Sequence, residues 1–500
     1  SITVNVTASD SQSGIATYTY ALNGGSQASN ATGSYTFTGL NASTGYTIQV
    51  TVIDKAGQTA TDSTQATTTA PPVYVDSVLP SAPKLSDGMI PVKWNGSNWI
   101  RTTASDSEWY DYSQKKWANI VLGDASWNGD TLNEDANYSM LVWIPRYAYQ
   151  ITSQYHLSGT GAGNINIVFI DTNNQNKGKT ITYSEMYPSA TRGGSMSDYV
   201  VHPAFNYGAT KLSGFWVGKY ETSNIEGNSN NGSGDNVTNK TIQIKAGIAS
   251  WRYLDIGNIY TVCTKMNENK NRYGLNANDN VVDPHMMKNS EWGAVTYLSQ
   301  NTTYGKGEEV WGNPNKNYIT GQAGSEASAQ PTTTSYAYNT SNGQQASTTG
   351  NTTGVYDMRG GCAEYVAGYV NNGDSNLQTY GSTVLNAEDK YKDVYKSETN
   401  QGAATQAEDY QYAQPTIGLG QPSATTGHYG DAIWETSGYY EDLNSWYEDY
   451  SVFPHAFDPF FIRGGIFNDL HNSGIFEFSG INGSGDNFRT FRVVLPVLQV

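Results

Sequence analysis

Only 15% of the 500 residues carry a charge, and only two of them are cysteines. Cys263 and Cys362 allow one bridge at most, which excludes a disulfide-dense scaffold. No window approaches the roughly 18 consecutive apolar residues that a membrane span needs, so this segment is not expected to insert into a bilayer. Basic residues are outnumbered, 28 Lys and Arg against 45 Asp and Glu, for a net charge of -17. Such a chain repels phosphate backbones, so nucleic acid is not an expected partner. Histidine is scarce: the six residues 156, 202, 285, 428, 455 and 471 form no H-x-x-x-H pair, which argues against a facial iron triad. No nucleophile elbow is present. What the chain has instead is glycine (52) and tyrosine (37) among many Asn, Ser and Thr. That mixture suits adaptable binding surfaces and points to a loop-rich, extracellular β protein.

The chain opens on "SITVNVTASD", already inside a strand, so a leader, an anchor or earlier domains are expected before Ser1. Through residue 70, "ITVNVTA", "ATYTYAL", "SYTFTGL" and "YTIQVTVID" alternate with period two between turn signals. Tyr46 follows a Leu-led turn at the start of a strand, an arrangement that resembles the tyrosine corner of Ig-like and fibronectin type III sandwiches. Residues 1–70 are therefore expected to be an all-β spacer, and 71–86, with its prolines, a semi-rigid linker. Residues 87–138 read as a small β-hairpin region in which Trp94, Trp99, Trp109 and Trp117 close a core. From 139 to 500 the pattern is short strands, long polar loops and two helices. One helix places Ile256, Ile259, Tyr260, Cys263 and Met266 at helical spacing, and the other starts at an Asn289 or Ser290 cap and carries Trp292, Val295 and Leu298. Two inserts interrupt this region. Residues 325–353 lack a hydrophobic period and read as a mobile loop. Residues 386–450 are acidic and Tyr-rich and read as a solvated loop.

Four stretches then fall in order: "SGFWVGKYETS" at 213–223, "MKNSEWGAVTYLS" at 287–299, "GVYDMRGGCAEYVAGY" at 354–369 and "FIRGG…FRTFRVVL" at 461–495. Together they resemble the formylglycine-generating-enzyme-type branch of the C-type lectin fold, over about 139–500. The resemblance implies an α+β head with few helices and long loops, preceded by the all-β module. The related enzymes place a cysteine of their copper-binding pair just after the "RGG" run. Here that run is "RGGIFNDLHNSGIF", without cysteine, so an enzyme of this type is not expected. The Asn of the family's calcium site corresponds to Gly361, and Glu364 matches the acidic ligand. No cofactor is expected, and a structural calcium held in part by Glu364 is the remaining candidate.

Among non-catalytic members of the fold, the closing segment resembles the variable proteins of diversity-generating retroelements, in which adenine-directed mutagenesis rewrites a late stretch of the chain. An "RGG" opening and an "FR-VVL" close flank positions of the types that rewritten Asn codons produce. "RTFRVVL" reads as an anchoring core strand. Phe476 and Phe478 share one face with Glu477 on the other, and Phe467 packs beneath the "RGG" turn. The candidate binding residues are Ile466, Asn468, Asp469, Leu470, His471, Glu477, Ser479, Ile481, Ser484, Asp486, Asn487, Phe488 and Arg489, a non-periodic mixture of apolar and amide side chains that suggests an exposed patch. The expected protein is an extracellular binder on a cell surface, pilus or phage tail, whose partner is a protein or glycan on another cell or surface. The alternative is a carbohydrate-binding module using residues 90–117 or the Tyr-rich 435–450 as its platform.

Overall fold

The computed structural model describes residues 2–38, 40, 44–68, 80–123, 127–176, 179–180, 190–227, 236–275, 281–325, 334–397, 428–439 and 443–498. The first six strands form two antiparallel sheets. Ile2–Asn5 pairs with Ser34–Phe37. Gly25–Asn30, Ile15–Leu22, Gly45–Asp54 and Thr59–Thr67 form a four-stranded sheet in that order. Alternation does the sorting: Tyr46, Ile48 and Val50 are buried while Thr47 and Gln49 between them are exposed. With Tyr18, Tyr20 and Phe37, Ile48 and Val50 make a small core of their own. The turn at 41–43, to which the Tyr46 hydroxyl was expected to tie, lies outside the described residues, as does 71–79 of the linker.

The remaining chain is mixed α+β, with few helices and extended loops. Its main layer is a nine-stranded sheet in the order Trp127–Asn128, Thr131–Leu132, Trp99–Arg101, Ile90–Trp94, Asn119–Leu122, Ser139–Pro145, Gly214–Gly218, Val493–Pro496 and His285–Met286. The strands at 90–132 thus belong to the same sheet as those from 139 onward. The tryptophan expectation holds for three residues: Trp99, Trp109 and Trp117 are at most 2% exposed. The three strands Ser139–Pro145, Gly214–Gly218 and Val493–Pro496 are buried at every residue, as continuously apolar strands are when both faces are covered.

Helix α1, Ile256–Glu268, is capped by Asp255, whose carboxylate accepts from Asn258 N, and Cys263 is buried in it. Helix α2, Asn289–Gln300, is buried along its whole length. Its cap is Lys288 rather than Asn289 or Ser290: the Glu291 carboxylate reaches back to Lys288 N at 2.9 Å, and Ser290 N donates to Asp393 at 2.7 Å. A third helix, α3 (Ser375–Leu385), has no stripe in the sequence because only Leu377, Gly381 and Val384 are buried. A second sheet is built on the long strand Ala363–Asn371. Phe460–Arg463 lies antiparallel on one side of it, and Phe478–Ile481 pairs antiparallel with Phe460–Arg463 in turn. On the other side, Arg489–Phe491 and Asp393–Lys396 run parallel to its two ends.

Both inserts depart from expectation where they are described. Residues 326–333 lie outside the described residues, but Ala346, Ser347, Thr348 and Thr349 are buried. Their hydroxyls and amides bond backbone instead of forming a hydrophobic stripe. Of the acidic insert, 398–427 and 440–442 lie outside. In the rest, Glu435 and Asp449 are fully buried, because partners replace water: the Glu435 carboxylate accepts from Tyr149 at 2.9 Å and Tyr297 at 2.8 Å, and Asp449 accepts from Phe476 N at 2.9 Å.

Candidate binding face

The closing segment is clamped at both ends by buried arginines. Arg463 donates to the carbonyls of Asp431 at 3.1 Å and Ala432 at 3.0 Å, and to Asn289 Oδ1 at 3.3 Å. Arg492 grips Glu364 bidentately, with Nε to Oε2 at 3.0 Å and Nη2 to Oε1. It also donates to the carbonyls of Gly218 at 2.8 Å and Tyr356 at 3.0 Å. Glu364 is therefore the partner of an arginine. Gly361, at φ +70°, leaves no room for a side chain such as the Asn of the calcium site that the resemblance implied, since a Cβ there would lie 2.4 Å from Glu221 Oε1. The Gly361 turn also meets the "RGG" turn, with Gly360 N donating to Gly464 O at 3.0 Å.

Between the clamps the candidate residues diverge. Asn468, His471 and Phe488 are exposed. Ile466, Asp469, Ser479, Ile481, Ser484, Asp486, Asn487 and Arg489 are half-buried. The side chain of Leu470 lies outside the described residues, although its backbone begins a short 3-10 turn, Leu470–Asn472. Glu477 is a correction: it is buried, 4% exposed, between buried Phe476 and Phe478. The regular strand begins only at Phe478, so the period-two rule does not reach back to Glu477. Its Oε2 accepts from Gly465 N at 3.1 Å. Burial pushes its carboxyl well above the ordinary carboxylate range, against the pull of the Arg463 guanidinium.

The half-buried members are held by local bonds. Asp469 Oδ2 accepts from Ile466 N at 2.8 Å, with burial raising its pKa. Ser484 and Asn482 close a small turn, Ser484 N donating to Asn482 Oδ1 at 3.0 Å. Arg489 spans to Ser484 O at 2.9 Å and the Tyr365 hydroxyl at 3.3 Å, with Asp486 at 3.6 Å. Ser479 and Ile481 belong to the strand beside Phe460–Arg463, and Ile481 packs on the core.

The two loops meet at a residue that the sequence did not point to. Tyr318 carries the ring of Phe467 edge-on at 5.4 Å and that of Phe488 at 6.2 Å. The Arg252 guanidinium lies 4.0 Å from the center of its ring, and Arg252 also donates to Asn487 O at 3.0 Å. Phe467 thus meets Tyr318, and its N–H bonds Gly361 O at 3.0 Å. Tyr318 and Arg252 lie far from the segment in sequence, in runs without a motif, so no local signal marks them. No family model, curated protein or solved structure matches the chain.

Among the described residues, no group of three or more His, Cys, Asp or Glu is placed to hold a metal ion. Cys263 and Cys362 are both free and buried, and burial raises both thiols well above their ordinary range, so neither is an activated thiolate. Among the described residues, no helix is long and apolar enough to cross a membrane.

Proposed function

We propose that the chain is an extracellular binding protein whose closing segment presents a rewritable protein-binding face. Its head is of the C-type-lectin type and the retroelement-variable kind, its spacer is Ig-like, and it is displayed on a cell surface, a pilus or a phage tail. The supporting observation is the contrast within the segment: Arg463 and Arg492 are sealed in the core while Asn468, His471 and Phe488 face solvent. Phe488 stands beside Phe467, Tyr318 and Arg252, and aromatics with arginine are the side chains that dominate protein interfaces.

Sequencing the coding region for 460–496 across a population of the source organism or phage tests this reading. Substitutions gathered at adenine-containing codons within 466–489, with 463–465 and 491–495 constant, support it. A stretch as invariant as its flanks refutes the rewriting.

A further inference from the structure

A cleft of about 530 Å³ opens beside the main sheet, bordered by the hairpin of Ile90–Trp94 and Trp99–Arg101, the loop through 108–117 and residues 351–353. Its size is that of small-molecule sites. Its walls are fixed without a ligand. The Asn119 amide donates to Thr353 O at 2.8 Å and Trp117 O at 2.9 Å, Trp117 N donates to Thr353 Oγ1 at 3.0 Å, and the Asn351 amide donates to Lys115 O at 2.9 Å. A site already in its binding shape loses little freedom when filled.

The base of the cleft is closed by Trp99, Trp109 and Trp117, at most 2% exposed. Trp94 differs: it is half-buried, and its ring is braced edge-on by Trp99 at 5.5 Å and Tyr338 at 6.0 Å. One indole therefore keeps a solvent-facing side in a fixed plane. The rim is polar but balanced in charge. Lys93 Nζ lies between Asp106 at 2.8 Å and Glu108 at 2.6 Å, and Lys116 supplies a second cation. Asn95 and Gln114 add exposed amides. With two cations set against two carboxylates, the rim offers no excess charge of either sign to a ligand.

From this arrangement we infer that the cleft is a second, independent binding site, for a neutral oligosaccharide. A pyranose presents an apolar C–H face that stacks on an indole and a ring of hydroxyls that amides at the rim can bond. A proline-rich peptide fits less well, because it needs free indole N–H donors for its carbonyls. Two of the indoles in the cleft have spent theirs, Trp109 Nε1 donating to Asn119 O at 2.9 Å and Trp117 Nε1 to Tyr304 O at 2.7 Å, and Trp99 Nε1 is buried out of reach.

The test screens the whole chain against an array of neutral and charged oligosaccharides. The strongest neutral hit and a ten-residue polyproline peptide are then titrated by calorimetry against wild type, Trp94→Ala, Trp94→Phe, Gln114→Ala and Phe488→Ala, with a thermal melt of each. The expected result is a neutral hit whose affinity falls about tenfold or more in Trp94→Ala, less in Trp94→Phe and Gln114→Ala, and not at all in Phe488→Ala, with melting preserved. The inference is overturned if only charged glycans or the peptide bind, if nothing on the array binds, or if folded Trp94→Ala, or folded Trp94→Phe and Gln114→Ala together, bind the hit like wild type.

Discussion

The ends of the closing segment and its middle obey opposite rules. At the ends, Arg463 and Arg492 are charged residues where charge is most costly, and each is kept there by at least three polar partners. In the middle, Phe488 is apolar where water is in reach, 40% exposed. Polarity therefore does not tell inside from outside here. What separates the two is how many polar partners each side chain has.

The largest expected effect breaks an end. Arg492→Ala leaves Glu364 buried without its partner and should cost about 3–5 kcal/mol, read as a lower denaturation midpoint. Arg492→Lys should restore little, since one ammonium cannot make the forked contact. A loss below about 1 kcal/mol would show that the clamp does not hold the segment.

A second experiment sharpens the comparison through pH. Because the folded pKa of Glu477 is raised, the protonated form favours folding. Its contribution is complete below the unfolded value of about 4.3 and is lost as pH rises through the folded value. Burial raises Glu309 in the same direction, to about 7, so wild type should lose stability from about pH 4 toward neutrality. Glu477→Gln keeps an acceptor for Gly465 N and removes one titrating group. It should match wild type near pH 4 and melt at a higher temperature than wild type at pH 8. Equal melting temperatures at both pH values would mean that Glu477 is charged and comfortable in the fold.

The smallest effects are expected at the tips. Asn468→Asp, His471→Ala and Phe488→Ala should each change stability by no more than about 0.5 kcal/mol in thermal melts. A loss of about 2 kcal/mol at Phe488 would make it a core residue and remove the basis for the binding face.

Much of the fold was legible where one face is buried and the other wet. Ile48 and Val50 alternate cleanly, and the aromatic and aliphatic positions of α2 announce a helix. Helix α3 was not legible, because Leu377 and Val384 are seven positions apart with little apolar between them. Buried acids were the main error. Glu477, Glu435 and Asp449 look like surface residues in a string of letters, and only the partners brought to them by distant segments explain their burial. At the candidate face, the outward positions of Asn468, His471 and Phe488 could be read from their lack of period. Tyr318 and Arg252 could not, since they join the face through tertiary contacts alone.

The strand Val493–Pro496 is not at the rim of the nine-stranded sheet but between Gly214–Gly218 and His285–Met286. Made after both of its neighbours, it is the staple that joins two parts of the sheet already synthesized. A copy whose reading frame breaks within 466–489 never supplies it and leaves a gap inside the sheet. The facing edges of Gly214–Gly218 and His285–Met286 would then be left without a pairing strand between them.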